Sequence, residues 1–291
     1  MQAADVDQES LRAIVVAKFP ELAATPVRIM GAGWDSVALA VGELVFKFPR
    51  HANAATALRR EASLLRQVAP AVSMPVPRME LVETPALFSR HVGIAGEHLL
   101  ADGYARLDEA QRQALGAAMG LFYAQLHAIP TSVMTEAGAL PAERWLDASQ
   151  IEQRTFPLLD DAERLWADRL LAHWQALGPD PHGDIYGYFD GHGWNMAFDH
   201  EHGRLNGLYD FADSGIGPLH QEFLYSSFIS PDLTARIVAA YERHSGRLLD
   251  RERIAVLTGV HRLWELAVAA QTPEDASQML ASLRAWMATG T

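Results

Sequence analysis

The segment from Asp190 to Asp210 constrains the fold most, because three spaced polar residues flank what the sequence predicts to be a β-hairpin. Two short apolar runs, residues 196–198 and 205–209, are separated by a turn-like stretch rich in Asp, His, Glu and Gly. Apolar runs on either side of such a turn are typical of a hairpin. A hairpin reverses the chain, so we expect Asn195 and Asp210 to lie at the same end of it.

The spacing of these polar residues suits a kinase-type phosphoryl-transfer site. Asn195 follows Asp190 by five residues, as Asn follows Asp in the protein-kinase catalytic loop. In that chemistry one carboxylate orients the acceptor hydroxyl, while an amide oxygen and a second carboxylate hold Mg²⁺ against the phosphates. The pattern predicts Asp190 as the catalytic residue and Asn195 and Asp210 as metal ligands. An Asp and an Asn at this spacing are common by chance, so the prediction depends on the rest of the chain.

A lysine in a predicted strand supplies the second observation. Lys47 lies between two phenylalanines in an apolar run, and burying an ammonium group is costly unless it meets an anion. Glu61, in the predicted helix over residues 54–68, is the available partner. A strand lysine held by a helix glutamate and aimed at nucleotide phosphates is the kinase arrangement. The residues alone leave an alternative open, in which both side chains face solvent.

A glycine turn precedes this lysine. Gly31 and Gly33 lie between two apolar runs, and Ser36 follows them. The G-x-G pattern lacks a third glycine and also suits an ordinary hairpin. It gains weight from order along the chain, since glycine turn, lysine, glutamate, Asp/Asn pair and final Asp follow one another as in a kinase.

In combination, these motifs resemble the aminoglycoside and macrolide phosphotransferases, small-molecule kinases that share the protein-kinase fold. The resemblance runs from about residue 25 to about residue 225. The motifs that carry it are Gly33-Trp34-Asp35-Ser36, Val45-Phe46-Lys47-Phe48-Pro49-Arg50, Arg60-Glu61, Pro75-Val76-Pro77, Ile94-Ala95-Gly96-Glu97, Asp190-x4-Asn195-x3-Asp199 and Tyr209-Asp210-Phe211.

The resemblance implies an α+β, protein-kinase-like fold with two lobes. Residues 1–93 are expected to form an N-terminal nucleotide-binding lobe of antiparallel sheet plus one helix, and residues 94–291 a mainly helical catalytic and substrate-binding lobe. Lys47 would contact the α- and β-phosphates of ATP or GTP, and Glu61 would hold Lys47. Further nucleotide contacts are implied for Gly31, Gly33 and Ser36 at the phosphates. At the base, they are implied for main-chain groups near Arg90, His91, Val92 and Ile94.

The chain departs from the family pattern at three places. Tyr188-Phe189 stands where the family usually has His-Gly, and a literal His-Gly-Asp ends six residues earlier at Asp184. We prefer Asp190, because the other register puts a phenylalanine where the metal-binding Asn is needed. Ala212 replaces a frequent Gly, and Glu222 stands where an Asp is common. The first of these two changes should be benign, and the second bears on helix placement.

The composition of the chain narrows the classes of molecule that we expect it to bind. The net charge of −12 argues against nucleic acid and favours a small, cationic, hydroxylated substrate, which an acidic cleft would concentrate. The absence of cysteine suits a reducing cytoplasm. No apolar run is long enough to span a membrane, and the acidic N-terminus does not resemble a signal peptide. The twelve histidines follow no zinc-site spacing.

Helical patterns dominate the chain after the predicted strands. We expect helices over residues 10–19, 54–68, 107–127, 144–150, 160–177, 218–227, 231–244, 250–270 and 274–286. The aromatic residues Trp145, Trp166 and Trp174 are expected in the core or in the wall of a substrate pocket.

Three functions remain open from the sequence. The first is phosphorylation of an aminoglycoside- or macrolide-type antibiotic, as the resemblance implies. The second is a metabolite kinase acting on choline, a sugar or an amino-alcohol. The third is a pseudokinase that binds nucleotide without turnover, to which the unusual Tyr188-Phe189 pair gives some support.

Overall fold

The computed structural model describes residues 7–32 and 35–288. The strands are β1 (Val27–Ala32), β2 (Ser36–Val41), β3 (Leu44–Pro49), β4 (Glu80–Val82), β5 (Phe88–Val92), β6 (Asp184–Gly187), β7 (Met196–Asp199), β8 (Arg204–Leu208) and β9 (Gly215–Pro218). The helices are α1 (Gln8–Lys18), α2 (Ala52–Ala71), α3 (Ala101–Ala105), α4 (Glu109–Leu126), α5 (Thr131–Glu136), α6 (Ala148–Thr155), α7 (Asp161–Ala176), α8 (Pro231–Ser245), α9 (Arg251–Ala269) and α10 (Pro273–Met287).

The first five strands form one antiparallel sheet in the order β1-β2-β3-β5-β4. The central strand β3 pairs with β2 on one side and β5 on the other. Phe46 and Phe48 of β3 are buried in a core that also contains Phe88 and, from α1, Val15. Because successive side chains of a strand point to opposite faces, Lys47 lies on the other face of the sheet.

The helix α2 brings Glu61 to this sheet. The side chain of His51 caps the helix by accepting a backbone N–H of the first turn. Buried residues recur every three or four positions, at Leu58, Glu61, Leu65 and Val68, which is the spacing of one helix face. Glu61 is the charged residue on that face, and only 3% of its surface is exposed.

The rest of the chain is mainly helical. The helices α4 and α8 approach closely at Gly120, where a Cβ atom would lie 2.4 Å from the Cβ of Ala240 and 2.9 Å from the carbonyl oxygen of Ile237. Only glycine permits this separation of the two backbones. An antiparallel sheet that packs against the helices α1 and α2, followed by a mainly helical region, confirms the predicted α+β fold class, with one helix more beside the sheet than expected.

Two small β-structures lie within the helical region. The strands β7 and β8 pair antiparallel, with Met196 opposite Leu208 and Asp199 opposite Arg204, so the predicted hairpin is present. The strands β6 and β9 form a second antiparallel pair that the sequence analysis missed. The hairpin and β9 flank the segment that contains Asp210.

The predicted helices are confirmed in most places and wrong in two. The helix expected over residues 144–150 begins only at Ala148, because the carboxylate of Asp147 accepts the N–H of Gln150 at 2.9 Å and the Gln150 side chain bonds back to the N–H of Asp147. This reciprocal pair is a capping box, which starts a helix. Residues 218–227 form two short 3-10 turns, Leu219–Phe223 and Tyr225–Phe228. Nearly every residue of these turns is buried, so packing on all sides decides their conformation.

The chain leaves the five-stranded sheet directly after β5. The N–H of Gly93 donates to the carbonyl of Glu43 at 2.8 Å, and Glu97 and Phe198 exchange two backbone hydrogen bonds of 2.8 Å. The segment between Gly93 and Glu97 therefore connects the sheet to the β7–β8 hairpin. We propose the boundary between two lobes, residues 1–93 and 94–291, within this connection. No helix of the described residues is long and apolar enough to cross a membrane.

Candidate active site

A cavity of about 370 Å³ lies between the sheet and the β7–β8 hairpin. We call it the sheet-side cleft. Seven of the residues predicted to contact nucleotide or metal line it, namely Gly31, Ser36, Lys47, Glu61, His91, Ile94 and Asp210. The cleft thus contains residues from both sides of the chain connection that follows β5.

Lys47 joins the two sides of the sheet-side cleft. Its Nζ lies 3.0 Å from Oε2 of Glu61 and 3.1 Å from Oδ1 of Asp210. Burial lowers the pKa of the Lys47 ammonium, but the two carboxylates outweigh burial and hold the pKa above its ordinary value. Lys47 therefore carries a fixed positive charge within the cleft, and the solvent-exposed alternative for Lys47 and Glu61 is wrong.

Glu61 has a second partner besides the lysine. Its Oε1 accepts the N–H of Phe211 at 3.1 Å, so the two carboxylate oxygens hold two different parts of the site. Asp210, the residue before Phe211, has a φ of 62°, in the left-handed region that non-glycine residues seldom occupy. Such a conformation persists only where the surroundings hold it, and here Glu61 and Lys47 hold Asp210 from both sides.

The second strained residue precedes Asp190. Phe189 has a φ of 53°. Among the non-glycine residues of the described chain, Phe189 and Asp210 are the two with positive φ. Both adjoin or belong to the predicted site, and backbone strain of this kind clusters at functional sites.

Glu222 holds the strained segment before Asp190. Its side chain is fully buried, and its two oxygens accept the N–H groups of Tyr188 at 2.7 Å and Phe189 at 3.0 Å. Nε2 of His127 lies 3.2 Å from the same carboxylate, and Nδ1 of His127 lies 3.1 Å from the hydroxyl of Tyr241. In the sequence, Glu222 stands out only as a departure from the family pattern. Its contacts cross more than thirty residues of sequence, so no local pattern revealed them.

Asn195 lies between Asp190 and Asp210. Its side-chain Nδ2 donates to Oδ2 of Asp190 at 2.5 Å, and its backbone oxygen accepts the N–H of Tyr209 at 3.1 Å. The hairpin therefore brings the three polar residues into one region, as its spacing predicts. Because Nδ2 is used as a donor, Oδ1 of Asn195 remains as an acceptor.

His192 contacts the remaining oxygen of Asp190. Nε2 of His192 lies 2.9 Å from Oδ1 of Asp190. Burial lowers the pKa of His192, but its hydrogen bond to Asp190 and the carboxylate charge outweigh burial and raise the pKa. No sequence motif predicted this contact, although a histidine two residues after the candidate catalytic Asp was a visible signal.

A second cavity, of about 390 Å³, opens beside Asp190. We call it the aromatic pocket, defined by the rings of Trp145, Trp194, Tyr225, Phe228 and Trp264 together with Asp190. Trp145 thus forms part of a pocket wall, whereas Trp174 packs behind it at 6.1 Å between ring centroids, and Trp166 contacts Trp286.

Several predicted residues lie elsewhere. The Arg90 side chain bonds to Glu80 at 2.6 Å, away from the sheet-side cleft, and Val92 is 65% exposed. Neither side chain lines the cleft, although the prediction concerned main-chain groups of this segment. Asp184 starts β6 opposite Pro218 and lines a different cavity. Gly33 lies outside the described residues.

The sheet and its two helices are joined to a helical region across a cleft that holds a lysine, a glutamate and an aspartate, and this arrangement defines a protein-kinase-like fold. Comparison with known proteins identifies the family. The model of the APH phosphotransferase enzyme family matches residues 27–257. The chain belongs to this family, which confirms the resemblance noted in the sequence.

Solved structures of the same fold have low sequence identity to the chain. The GDP complex of wild-type aminoglycoside 2'-phosphotransferase-IIIa is 18% identical with a TM-score of 0.81, covering 98% of this chain and 100% of that one. Macrolide 2'-phosphotransferase MphH from Brachybacterium faecium is 17% identical with a TM-score of 0.66, covering 95% and 97%. The streptomycin–ATP ternary complex of APH(2'')-IIa is 17% identical with a TM-score of 0.63, covering 96% of both chains. No curated protein sequence matches the chain significantly.

Proposed function

We propose that the protein is a Mg²⁺-dependent phosphotransferase that moves the γ-phosphate of ATP or GTP to a hydroxyl of a small molecule of the aminoglycoside or macrolide type. One observation carries this proposal. Asn195 contacts Asp190, which lines the aromatic pocket, and Tyr209, which precedes Asp210 in the sheet-side cleft. Two cavities that are linked through the contacts of one asparagine suit two substrates that exchange a phosphoryl group. Relatives bound to GDP and to ATP with streptomycin, and a macrolide phosphotransferase, support both substrate classes.

The sheet-side cleft is the proposed nucleotide site. Lys47 supplies positive charge to the phosphates, and Glu61 positions Lys47. Gly31 and Ser36 border the cleft on the phosphate side. His91 and Ile94 border it near the end of β5, where we propose that main-chain groups of residues 90–94 meet the base. Burial, with the charge of Lys47, lowers the pKa of His91 to about 4, so this ring is neutral at pH 7.

Asp210 and Asn195 fit a Mg²⁺ site. Mg²⁺ takes oxygen ligands and is usually bound by one or two carboxylates together with substrate phosphates and water. Asp210 offers carboxylate oxygens in the sheet-side cleft, and Asn195 keeps Oδ1 as a donor to metal. When bound, Mg²⁺ would neutralise charge on the transferring phosphoryl group. The left-handed backbone of Asp210 directs this carboxylate into the cleft.

Asp190 is the proposed catalytic residue. It lines the aromatic pocket, where it would accept a hydrogen bond from the acceptor hydroxyl and take its proton. Asn195 and His192 each bind one of its two oxygens, so both fix the orientation of the carboxylate.

The test is nucleotide turnover with a panel of aminoglycosides, macrolides and small hydroxylated metabolites, using ATP and GTP separately. We expect Asp190→Asn to lower kcat by about 10²–10⁴-fold, the usual contribution of a positioned base, with nucleotide affinity nearly unchanged. Asp184→Asn is the matched control and should keep most activity. An inactive Asp184 variant beside an active Asp190 variant would place the catalytic loop six residues earlier.

The same panel decides between the alternative functions. Turnover of choline, a sugar or an amino-alcohol in preference to every antibiotic would identify a metabolite kinase. Thermal stabilisation by Mg²⁺-nucleotide without any turnover would identify a pseudokinase. We further propose the cytoplasm as the location, because ATP and GTP are available there and the chain contains no cysteine.

A further inference from the structure

The aromatic pocket has a wall of rings centred on one histidine. The ring of His261 lies 5.4 Å from Trp145, 5.2 Å from Trp264, 5.3 Å from Tyr225 and 5.8 Å from Phe228, measured between centroids. His261 itself is only 6% exposed. Burial, aided by nearby Arg262, lowers the pKa of His261 to about 3, so the centre of this wall is uncharged at neutral pH.

The wall already binds one cation within the protein. The guanidinium carbon of Arg262 lies 3.5 Å from the centroid of Phe228. A cation above an aromatic face is attracted by the quadrupole of the ring, and tryptophan is the strongest partner. Trp145 and Trp264 both line the aromatic pocket and are only partly buried, so part of their surface is open to a ligand.

Four carboxylates around the aromatic pocket favour a cationic ligand, whereas His192, whose raised pKa favours its charged form, opposes one. Glu143, Asp190, Asp213 and Glu265 line it, and no lysine or arginine is among its described lining residues. Glu265 is the most enclosed of the carboxylates outside the catalytic loop. Its nearest positive group is the Arg262 guanidinium, at 4.0 Å, so one carboxylate oxygen has no close cationic partner.

The aromatic wall of the pocket indicates which kind of cation binds there. A primary ammonium group has three N–H donors, each of which needs an acceptor when water is excluded. An alkylated ammonium group instead presents C–H surface, which packs against ring faces and is the usual ligand of aromatic cages. A polycationic aminoglycoside would place some of its N–H donors against ring faces, which offer no oxygen acceptor, and could satisfy only the donors that reach the carboxylates.

We propose that the aromatic pocket selects a hydroxylated acceptor with one tertiary or quaternary ammonium group and an apolar body. The ammonium group lies against Trp145 and Trp264 beside Glu265, and the acceptor hydroxyl lies at Asp190. This inference rests on the proposed function for the role of the hydroxyl, but its binding component is independent of turnover. Two sources share this chemistry, a macrolide with a dimethylamino sugar and a choline-type amino-alcohol.

Binding can be measured without nucleotide by tryptophan fluorescence and calorimetry. The probes are choline, its uncharged isostere 3,3-dimethylbutanol, erythromycin as the dimethylamino macrolide, and kanamycin as the polycation. We expect at least one alkylated amine to bind more tightly than kanamycin, and choline to bind about tenfold more tightly than its neutral isostere. Tighter binding of kanamycin than of both alkylated amines, or equal binding of choline and its isostere, would overturn the proposal.

Two variants test the residues. Glu265→Gln keeps the shape of the side chain and, at pH 8, where most of the Glu265 carboxyl groups are ionised, removes its charge. Trp264→Leu removes one ring face. Each should weaken binding of the preferred alkylated amine about tenfold and leave Mg²⁺-nucleotide stabilisation unchanged. Glu252→Gln, at an exposed position of the same helix α9, is the control. If Trp264→Leu fails to fold, Glu265→Gln still decides, and unchanged binding in that variant contradicts the proposal.

The outcomes separate this inference from the proposed function. Selective binding of an alkylated amine without phosphorylation would leave the aromatic pocket as proposed and refute the enzymatic role. Efficient phosphorylation of kanamycin without such selectivity would support the enzymatic role and refute the proposed selectivity of the aromatic pocket. A preference for erythromycin over choline would assign the macrolide source, and the opposite preference the amino-alcohol source.

Discussion

Glu61 and Glu222 are two buried glutamates that hold the two strained ends of the same site in different ways. Glu61 shares its oxygens between the Lys47 ammonium and the N–H of Phe211. Glu222 gives both oxygens to backbone N–H groups, with a histidine ring as its third contact. The first glutamate pairs with a charged side chain on its own side of the cleft and reaches across the cleft to the N–H of Phe211, whereas the second belongs entirely to the helical region. The difference separates charge placement at the proposed nucleotide site from backbone placement beside the proposed catalytic residue.

The largest expected effect tests the charged end of this comparison. Lys47→Ala removes the fixed positive charge and should lower turnover by about 10²–10³-fold, the usual loss when one such stabilising group is removed. It also leaves Glu61 buried without its ammonium partner, so the unfolding temperature should fall. Turnover kinetics and thermal unfolding measure the two effects. Lys18→Ala, at the exposed end of α1 and the only other lysine of the chain, should change neither, and an equal loss in both variants would contradict a specific role for Lys47.

A smaller effect should distinguish the two glutamates. In Glu222→Gln one of two backbone N–H groups faces an amide nitrogen in place of an oxygen, which should cost about 1–3 kcal/mol of stability. We expect kcat to fall while nucleotide affinity stays the same, because the strained residue Phe189 precedes Asp190. Glu61→Gln should weaken nucleotide affinity as well, since it touches both Lys47 and the Asp210 segment, although its effect on kcat should be smaller than that of Lys47→Ala.

Steady-state kinetics and nucleotide titration of the two glutamine variants provide the measurement. The exposed Glu201→Gln in the hairpin turn is the control for charge removal. If Glu222→Gln weakened nucleotide binding and spared kcat, the assignment of Glu222 to the catalytic side would be wrong.

The smallest effect concerns a third glutamate that lacks the backbone donors of the first two. Burial raises the pKa of Glu265 to about 7 against the opposing charges of Arg262 and His192, while the ring of His261 lies 3.6 Å away. Between pH 4.5 and 7 the folded chain therefore binds more protons at this group than the unfolded chain, so this residue reduces stability as pH rises. The unfolding temperature of Glu265→Gln relative to the unmodified chain should be higher at pH 8 than at pH 5. A difference independent of pH would show that Glu265 titrates normally.

The sequence predicted the charged end of the site better than the backbone-held end. Lys47, Asn195 and Asp210 lie in or beside short apolar runs, so strand and hairpin patterns locate them within a few residues of chain. Glu222 and the rings around His261 come from distant segments, and much of this part is made of short turns whose burial on all sides erases helical periodicity. Tertiary packing decides the conformation of such segments, and a single sequence contains little information about that packing.

The left-handed backbone conformations of Phe189 and Asp210 also could not be predicted from the sequence. Neither Phe189 nor Asp210 is a residue type whose presence alone indicates a left-handed backbone. The aspartate was found through its spacing from Asn195, and its backbone conformation is known only from the structure. Arg90 and Val92 show a different limit of sequence-based prediction. A strand pattern predicts where these residues lie, but it does not indicate which main-chain groups of the connection face a ligand.

The backbone hydrogen bond from Tyr209 to Asn195 has a mechanical consequence. It ties the two proposed metal ligands to one hairpin, so their separation is set within a single rigid unit. Lys47 and Glu61 move with the sheet, and the connection at Gly96 leaves so little room that a Cβ there would lie 2.5 Å from the backbone of Ala197. Rotation of the sheet about this point would stretch the 3.1 Å contact between Lys47 and Asp210 and the 3.1 Å hydrogen bond from Phe211 to Glu61, while the spacing of the two proposed metal ligands stays constant. Such an opening would break the contacts that cross the cleft and preserve the geometry of the proposed metal site.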